Sequence, residues 1–257
     1  MTELVLTEKN NHILTVRINR LDRKNALTHD MYTALGDAIE QAQNDSDIRC
    51  LLYTGSEDCF TAGNDLGDFA AGLPGDFEDT PVGRFLFLLA TTNKPIVAAV
   101  NGPAVGIGTT MLLHCDLVFA GNNTHFQMPF ANLGLCPEGG SSLLLPSWLG
   151  RVRAAELLML GDAFTADDAL RMGLINRACK PAQTETAALE ACTRLAAQPP
   201  AAIRATRELL NRATAEELKT TMLAEGKLFA ERLKSPENAE AITAFTEKRK
   251  PDFSNFS

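Results

Sequence analysis

KPIVAAVNGPAVGIGTT, residues 94–110, is the stretch from which the rest of the chain can be read. Lys94-Pro95 stops whatever precedes it. Ile96 to Val100 form an unbroken apolar run, the pattern of a short strand buried on both faces. Asn101-Gly102-Pro103 breaks that run. Gly106 and Gly108 then flank Ile107 just where Thr109 to His114 begins to read as a helix. Small residues at a strand-to-helix turn let a ligand approach the backbone closely. The first N–H groups of a helix have no partner within it and seat negative charge. A turn needed only for close packing would use the same glycines, so the stretch alone leaves both readings open.

Upstream, residues 48–54 (IRCLLYT) read as a second buried strand ending at Gly55. CFTAGNDLGDF follows, with Gly63 in a loop and a helix expected from about Asp65. Backbone N–H groups again fall at the C-terminal end of a strand, where ligands gather in α/β proteins. Gly72 to Asp79 is glycine- and acid-rich and is expected to form a lid. Residues 81–92 read as a helix. Residues 4–8 and 12–19 read as a hairpin across Asn10-Asn11, with Leu14, Val16 and Ile18 facing inward. Thr28 is expected to cap a helix that runs to about Asn44. Arg20, Arg23 and Lys24 share the intervening loop, either as a solvated loop or as a phosphate contact.

Downstream, 116–120 and 124–127 read as strands. Glu138 stands between Pro137 and Gly139-Gly140-Ser141-Ser142 and is the sole charged residue from Phe126 to Leu149. A carboxylate there could favour the positive end of the following helix. It could also do chemistry, since a helix needing only a cap usually takes Ser, Thr, Asp or Asn. Residues 151–160 and 166–172 read as amphipathic helices and 173–176 as a short strand. Helices are expected over about 182–197, 199–212, 214–234 and 236–248, for packing and oligomerisation. This order predicts an α/β core over 1–195 and a helical region over 196–257.

The formal net charge of −8 disfavours nucleic acid and anionic membranes as partners. Six scattered cysteines without a CxxC pair read as buried thiols in a reducing compartment, not as a disulfide frame or zinc site. The four histidines lack metal-ligand spacing. No apolar run is long enough to span a bilayer and no signal-peptide pattern opens the chain, so a cytoplasmic protein is expected.

Two glycine-bracketed turns that each offer an N–H, together with one isolated glutamate, suit chemistry through an enolate. Two donors on one oxygen make an oxyanion hole, and a carboxylate moves a proton beside a carbonyl. No GxGxxG, P-loop or Ser-His-Asp motif competes with this reading.

The sequence resembles the enoyl-CoA hydratase/isomerase (crotonase) superfamily almost end to end. INRLDRKNAL, CFTAGNDL, KPIVAAVNGPAVGIG, LGLCPEGGSSLLLP, FTADDALRMGLINRA and AFTEKRKPDF occur in the family's order and spacing. The resemblance implies a spiral of ββα turns with a helical C-terminal trimerisation region, and a homotrimer or dimer of trimers. It implies an acyl-CoA thioester as substrate. No metal or redox cofactor is implied, and coenzyme A belongs to the substrate. The oxyanion hole would be the N–H groups of Asn64 and Ile107, flanked by Ala62, Gly63, Gly106 and Gly108. The loop holding Asp65 and Leu66 would carry the adenine of coenzyme A. Lys24 and Arg23 would lie on its phosphate side, and Ala26 would be among the residues that contact the substrate. Phe229 and Lys248 match coenzyme A contacts, often made from a neighbouring subunit; for Lys24 and Phe229 a plainly structural role stands beside this one.

Departures from the family pattern point to the reaction. Related hydratases use two glutamates, and here those positions hold Thr110 and Phe130. Glu138, in its PEGGSS context, resembles instead the single catalytic glutamate of the Δ3,Δ2-enoyl-CoA isomerases. Moving a double bond needs one base and no activated water, and an apolar Phe130 keeps water out. Another reaction of the superfamily, such as hydration, and a non-catalytic acyl-CoA-binding role are the alternatives.

Overall fold

Asn11 and His12 both adopt positive φ, 48° and 66°. This two-residue turn folds β1 (Val5–Asn10) back onto β2 (Ile13–Ile18) in an antiparallel pair. Two consecutive left-handed residues match the twist of a tight hairpin. Leu14, Val16 and Ile18 are buried, as their alternation predicts. The computed structural model describes residues 3–65, 67–68 and 77–256.

From β2 the sheet grows by parallel pairing. β3 (Cys50–Thr54) joins β2, β4 (Ile96–Val100) joins β3, β6 (Leu117–Gly121) joins β4, and β9 (Arg177–Cys179) joins β6. Every residue of β3 and β4 is buried. Helices cover both faces, so these strands are continuous apolar runs. On one face lie the helices His29–Asn44 and Pro81–Thr91, whose Leu35, Ile39, Phe85 and Leu89 pack with Leu51 and Tyr53. Their starts are capped as Ser/Thr caps should be: Met31 N–H donates to Thr28 Oγ1 (3.3 Å) and Gly83 N–H to Thr80 Oγ1 (3.1 Å). On the other face Ala188, Cys192 and Ala196 of the Pro181–Ala196 helix pack on Leu52, Val97 and Phe119. A second, three-stranded sheet is built from β5 (Pro103–Val105), β7 (His125–Gln127) and β8 (Phe164–Thr165). The fold is the expected α/β arrangement, a mostly parallel sheet with helices on both faces.

The strand expected over 173–176 lies at Arg177–Cys179 instead. Gly173 ends the preceding helix in the left-handed conformation, at φ 78°. Asn176 then bonds Val118 twice, donating its N–H to the Val118 carbonyl and accepting the Val118 N–H at Oδ1. Regular pairing starts only after that side-chain bond. The helix expected over 151–160 divides into an α-helical turn, Arg151–Ala155, and a π-helical turn, Glu156–Leu160. Most of the expected lid, 72–76, and Leu66 lie outside the described residues; Phe77–Asp79 is a 3-10 turn.

The helical C-terminal region is pinned to the sheet by Arg207, which is 5% exposed. Its Nε donates to both oxygens of Asp116 (2.8 and 3.1 Å). Its terminal nitrogens donate to the carbonyls of Leu89, Thr92 and His114. A buried guanidinium is tolerated because nearly every donor is matched. Asp116 also accepts from Ile96 N–H (2.7 Å), so the ion pair reaches the start of β4. The Ala215–Arg232 helix then packs against Ser141–Leu149 and buries Met222, Glu225 and Phe229.

Candidate active site

Leu27 forms a parallel bridge with Asn64. Leu27 N–H donates to Gly63 O (2.8 Å) and Asp65 N–H to Leu27 O (2.9 Å). Both neighbours of Asn64 are thereby held, and Asn64 must direct its own N–H to the opposite side. Gly63 allows this at φ 92°; a Cβ there would meet Val105 O at 2.9 Å. The second turn ends at Gly106, at φ 57° and ψ −118°, a conformation that glycine alone adopts readily. Gly106 N–H donates to Gln127 O, and Thr109 and Thr110 N–H donate back to Gly106 O. Ile107 is the first helical residue, so its N–H has no partner in the helix. Among the described residues neither the Asn64 N–H nor the Ile107 N–H meets an acceptor.

Both residues line one cleft of about 860 Å³. Ala62, Gly63, Val105 and Gly106 form its backbone floor, and Phe130, Leu135 and Phe229 its apolar wall. Arg20 and Arg23 stand at the same cleft. Arg20 is engaged with Asp65 (2.7 Å) and the Ala26 carbonyl (2.9 Å), and the Arg23 side chain is largely exposed. The Arg20 guanidinium holds the Asp65 carboxyl below its usual range.

Glu138 faces a much smaller cavity, about 30 Å³, that shares Asn64, Asp65 and Phe229 with the cleft. It is 7% exposed. Thr110 Oγ1 donates to its Oε1. Burial pushes the Glu138 carboxyl up to about 8; the negative charge of Glu225 adds to this, and the Thr110 hydroxyl opposes it. Desolvation of a charge with no cation beside it is the larger effect. The group is therefore a carboxylic acid whose proton affinity suits transfer near neutral pH.

An enoyl-CoA hydratase/isomerase family model matches residues 8–255. The chain belongs to this family. It is 33% identical over 259 residues to the 1,2-epoxyphenylacetyl-CoA isomerase of Escherichia coli K12, covering 98% of this chain and 99% of that protein. It is 34% identical over 255 residues to enoyl-CoA delta isomerase 2 of Rattus norvegicus, covering 96% of this chain and 64% of that protein. Relatives at comparable identity include hydratases. Among solved structures, Pseudomonas aeruginosa OdaA superposes with a TM-score of 0.92 at 48% identity, covering 95% of this chain and 99% of that one. The chain is thus an acyl-CoA-processing member of the enoyl-CoA hydratase/isomerase family.

Of the positions that the family resemblance singles out, Arg23, Ala26, Ala62, Gly63, Asn64, Asp65, Gly106, Ile107, Phe130 and Phe229 come together around the cleft. Gly108 is buried behind it, where a Cβ would strike Thr61 at 2.6 Å. Lys24 is exposed in a left-handed conformation and does not line the cleft; nor does Lys248, also exposed. Three residues that the sequence reading did not place at the site support it. Tyr32 is buried and donates its hydroxyl to Asn64 Oδ1. His114 is buried with Nε2 2.8 Å from the Gly139 carbonyl, and burial pulls its imidazole down to about 4, so the neutral ring is the donor. Glu225 accepts from Gly140 N–H (2.6 Å), Ser142 N–H (2.9 Å) and Ser142 Oγ (2.5 Å). Gly140, the N-cap of the Ser141–Leu149 helix, carries no capping oxygen. That missing cap was the signal for Glu225, though it did not say which residue would supply the oxygen.

Proposed function

We propose that the chain is a Δ3,Δ2-enoyl-CoA isomerase with Glu138 as its single acid/base. The observation that carries this is a buried glutamate with its proton affinity raised to about 8, beside a cleft bearing two unpartnered backbone N–H groups. Glu138 removes a proton from C2 of a 3-enoyl-CoA. The N–H groups of Asn64 and Ile107 bind the thioester oxygen as negative charge develops on it, a contribution of about 10²–10³-fold per donor in comparable sites. Glu138, now protonated, returns the proton at C4. The double bond then lies between C2 and C3. The reaction requires no metal or redox cofactor, and coenzyme A enters as part of the substrate.

Thr110 and Phe130 favour isomerisation over hydration. Thr110 hydrogen-bonds Glu138 where a hydratase would place a second carboxylate, and Phe130 fills the other acid position with a buried ring. The test is an absorbance assay for the conjugated 2-enoyl thioester, starting from a 3-enoyl-CoA, run beside hydration of a 2-enoyl-CoA. Isomerisation should be the faster reaction; hydration as the main activity would refute the reading.

The chain is further proposed to work as a homotrimer or a dimer of trimers in the cytoplasm. Trp148, Val152, Met159 and Leu160 are exposed apolar side chains within one short stretch of chain, of the kind that subunits cover. Such an assembly would let Lys248 serve a neighbour's cleft. Sedimentation at micromolar concentration giving only monomer would exclude it.

A further inference from the structure

The start of the Ser141–Leu149 helix poses an electrostatic problem for a base placed where Glu138 is. The first N–H groups of a helix carry partial positive charge and stabilise the nearest carboxylate. Glu138 lies three residues ahead of that helix, and its own carbonyl already accepts from Ser141 N–H (3.1 Å) and Ser141 Oγ (2.6 Å). A carboxylate side chain folded onto the same terminus would be a capped, strongly acidic group and a poor base.

A local cap cannot relieve this. Position 140 is at φ 75°, in the left-handed region, and a Cβ there would crowd the Leu218 side chain at 2.3 Å, so glycine is favoured at the N-cap. Glu225, arriving from the Ala215–Arg232 helix, fills the vacancy. One carboxylate oxygen takes Gly140 N–H and the other takes both Ser142 N–H and Ser142 Oγ. Glu225 is 7% exposed, and burial raises its carboxyl; the Ser142 hydroxyl and the Ser142 and Gly140 N–H groups oppose that rise by donating to the ionised form.

We propose that Glu225 is a positioning residue: it occupies the helix terminus with its own carboxylate and so leaves the Glu138 side chain to Thr110 and the cavity as a free base. This rests on the reading of Glu138 as the base. The other groups around Glu138 do not supply the same charge. Tyr32, from the His29–Asn44 helix, is a buried neutral phenol whose hydroxyl serves Asn64. Burial keeps the Cys136 thiol neutral, pushed up to about 11, and His114 neutral on the Gly139 carbonyl. Of the carboxylates lining the small cavity, Asp65 is paired with Arg20, and Asp68 accepts the His29 N–H (2.9 Å) with the His29 ring 3.9 Å away. Among the described residues, Glu225 is the buried carboxylate of this group that meets no cation.

The test follows the titration of Glu138 itself, by carbon NMR of protein labelled at the glutamate side-chain carboxyl, in wild type and E225Q, with E138Q to assign the signal. The Glu138 inflection should fall by roughly one pH unit in E225Q. The acid limb of kcat/KM on a 3-enoyl-CoA should move the same way. A purely structural Glu225 would lower the melting temperature and leave the inflection unmoved, which would overturn the proposal while the base assignment stood. An E138Q enzyme that still turns over would remove the base assignment instead. Should E225Q not fold, wild type decides the matter: the Gly140 and Ser142 amide signals should shift chiefly at the Glu225 inflection. Amide shifts that follow Glu138 instead would mean that Glu138 shares the helix terminus, and the proposal would fail.

Discussion

Phe229 meets Phe130 edge to face, with ring centroids 6.3 Å apart and planes at 78°. Both rings are nearly buried and both line the cleft. The contact joins the C-terminal helical region to the loop that carries Phe130, and the proposed function has it exclude water from that part of the cleft. F130A and F229A should each cost about 3 kcal/mol in urea unfolding. The double mutant should reveal a coupling of about 1 kcal/mol. Hydration of a 2-enoyl-CoA should rise in F130A relative to isomerisation. Strict additivity with an unchanged product ratio would show that the pair neither packs as a unit nor excludes water.

The two donors are main-chain groups, so glycines beside them should matter more than their own side chains. G63A and G106A force alanine into positive-φ conformations, a strain of about 1–3 kcal/mol each. Relief of that strain rotates the Asn64 or Ile107 N–H. Isomerase kcat/KM should drop about 10²-fold in each, whereas N64A and I107V should stay within roughly ten-fold of wild type. Steady-state kinetics on the four variants checks this, and the reverse ranking would place the function in the side chains.

Much of this was readable from local pattern. The hairpin, the Thr28 cap and the buried runs of β3 and β4 each depend on a few neighbouring residues. Glu138 stood out because its surroundings hold no other charge. The turns at Asn64 and Ile107 were legible because glycine brackets them. What escaped depends on distant contacts. Glu225 sits 85 residues from Gly140, on a helix expected only to pack and to oligomerise. Arg207 lies on another such helix, and nothing near it in sequence pairs it with Asp116, which the sheet brings to it. Nothing near Tyr32 in sequence marks it, because its hydroxyl finds Asn64 only in the folded chain. The β9 strand starts late because the Asn176 side chain makes a bond that alternation cannot signal.

Thr110 tunes the Glu138 carboxyl. Its hydroxyl donates to Glu138 and stabilises the ionised form. T110V keeps the shape and removes the donor, so the Glu138 inflection should move above about 8 and the acid limb of kcat/KM should move to higher pH with it. Activity at neutral pH should fall and partly return under alkaline conditions. A profile superimposable on wild type would exclude this tuning.

Stability should record the same group. The Glu138 carboxyl is raised in the folded chain, from 4.5 to about 8, so the folded state holds its proton more tightly than the unfolded state. Its favourable contribution is complete below about 4.5 and is lost as pH rises through about 8. The loss is on the order of 5 kcal/mol at most. His114 has the opposite sign: depressed from 6.5 to about 4, it contributes above 6.5 and its contribution is lost as pH falls through about 4. Denaturant unfolding of wild type and E138Q between pH 5 and 9 should therefore show E138Q gaining on wild type with rising pH. Parallel curves would mean that Glu138 titrates as an exposed carboxyl.

The most direct measurement is turnover of a 3-enoyl-CoA by wild type beside E138Q and E138A, with acyl-CoA affinity measured on the same samples. The account predicts a kcat loss of about 10³-fold or more in both variants, with binding little changed. Turnover retained in E138Q, in protein that still binds acyl-CoA, would contradict it.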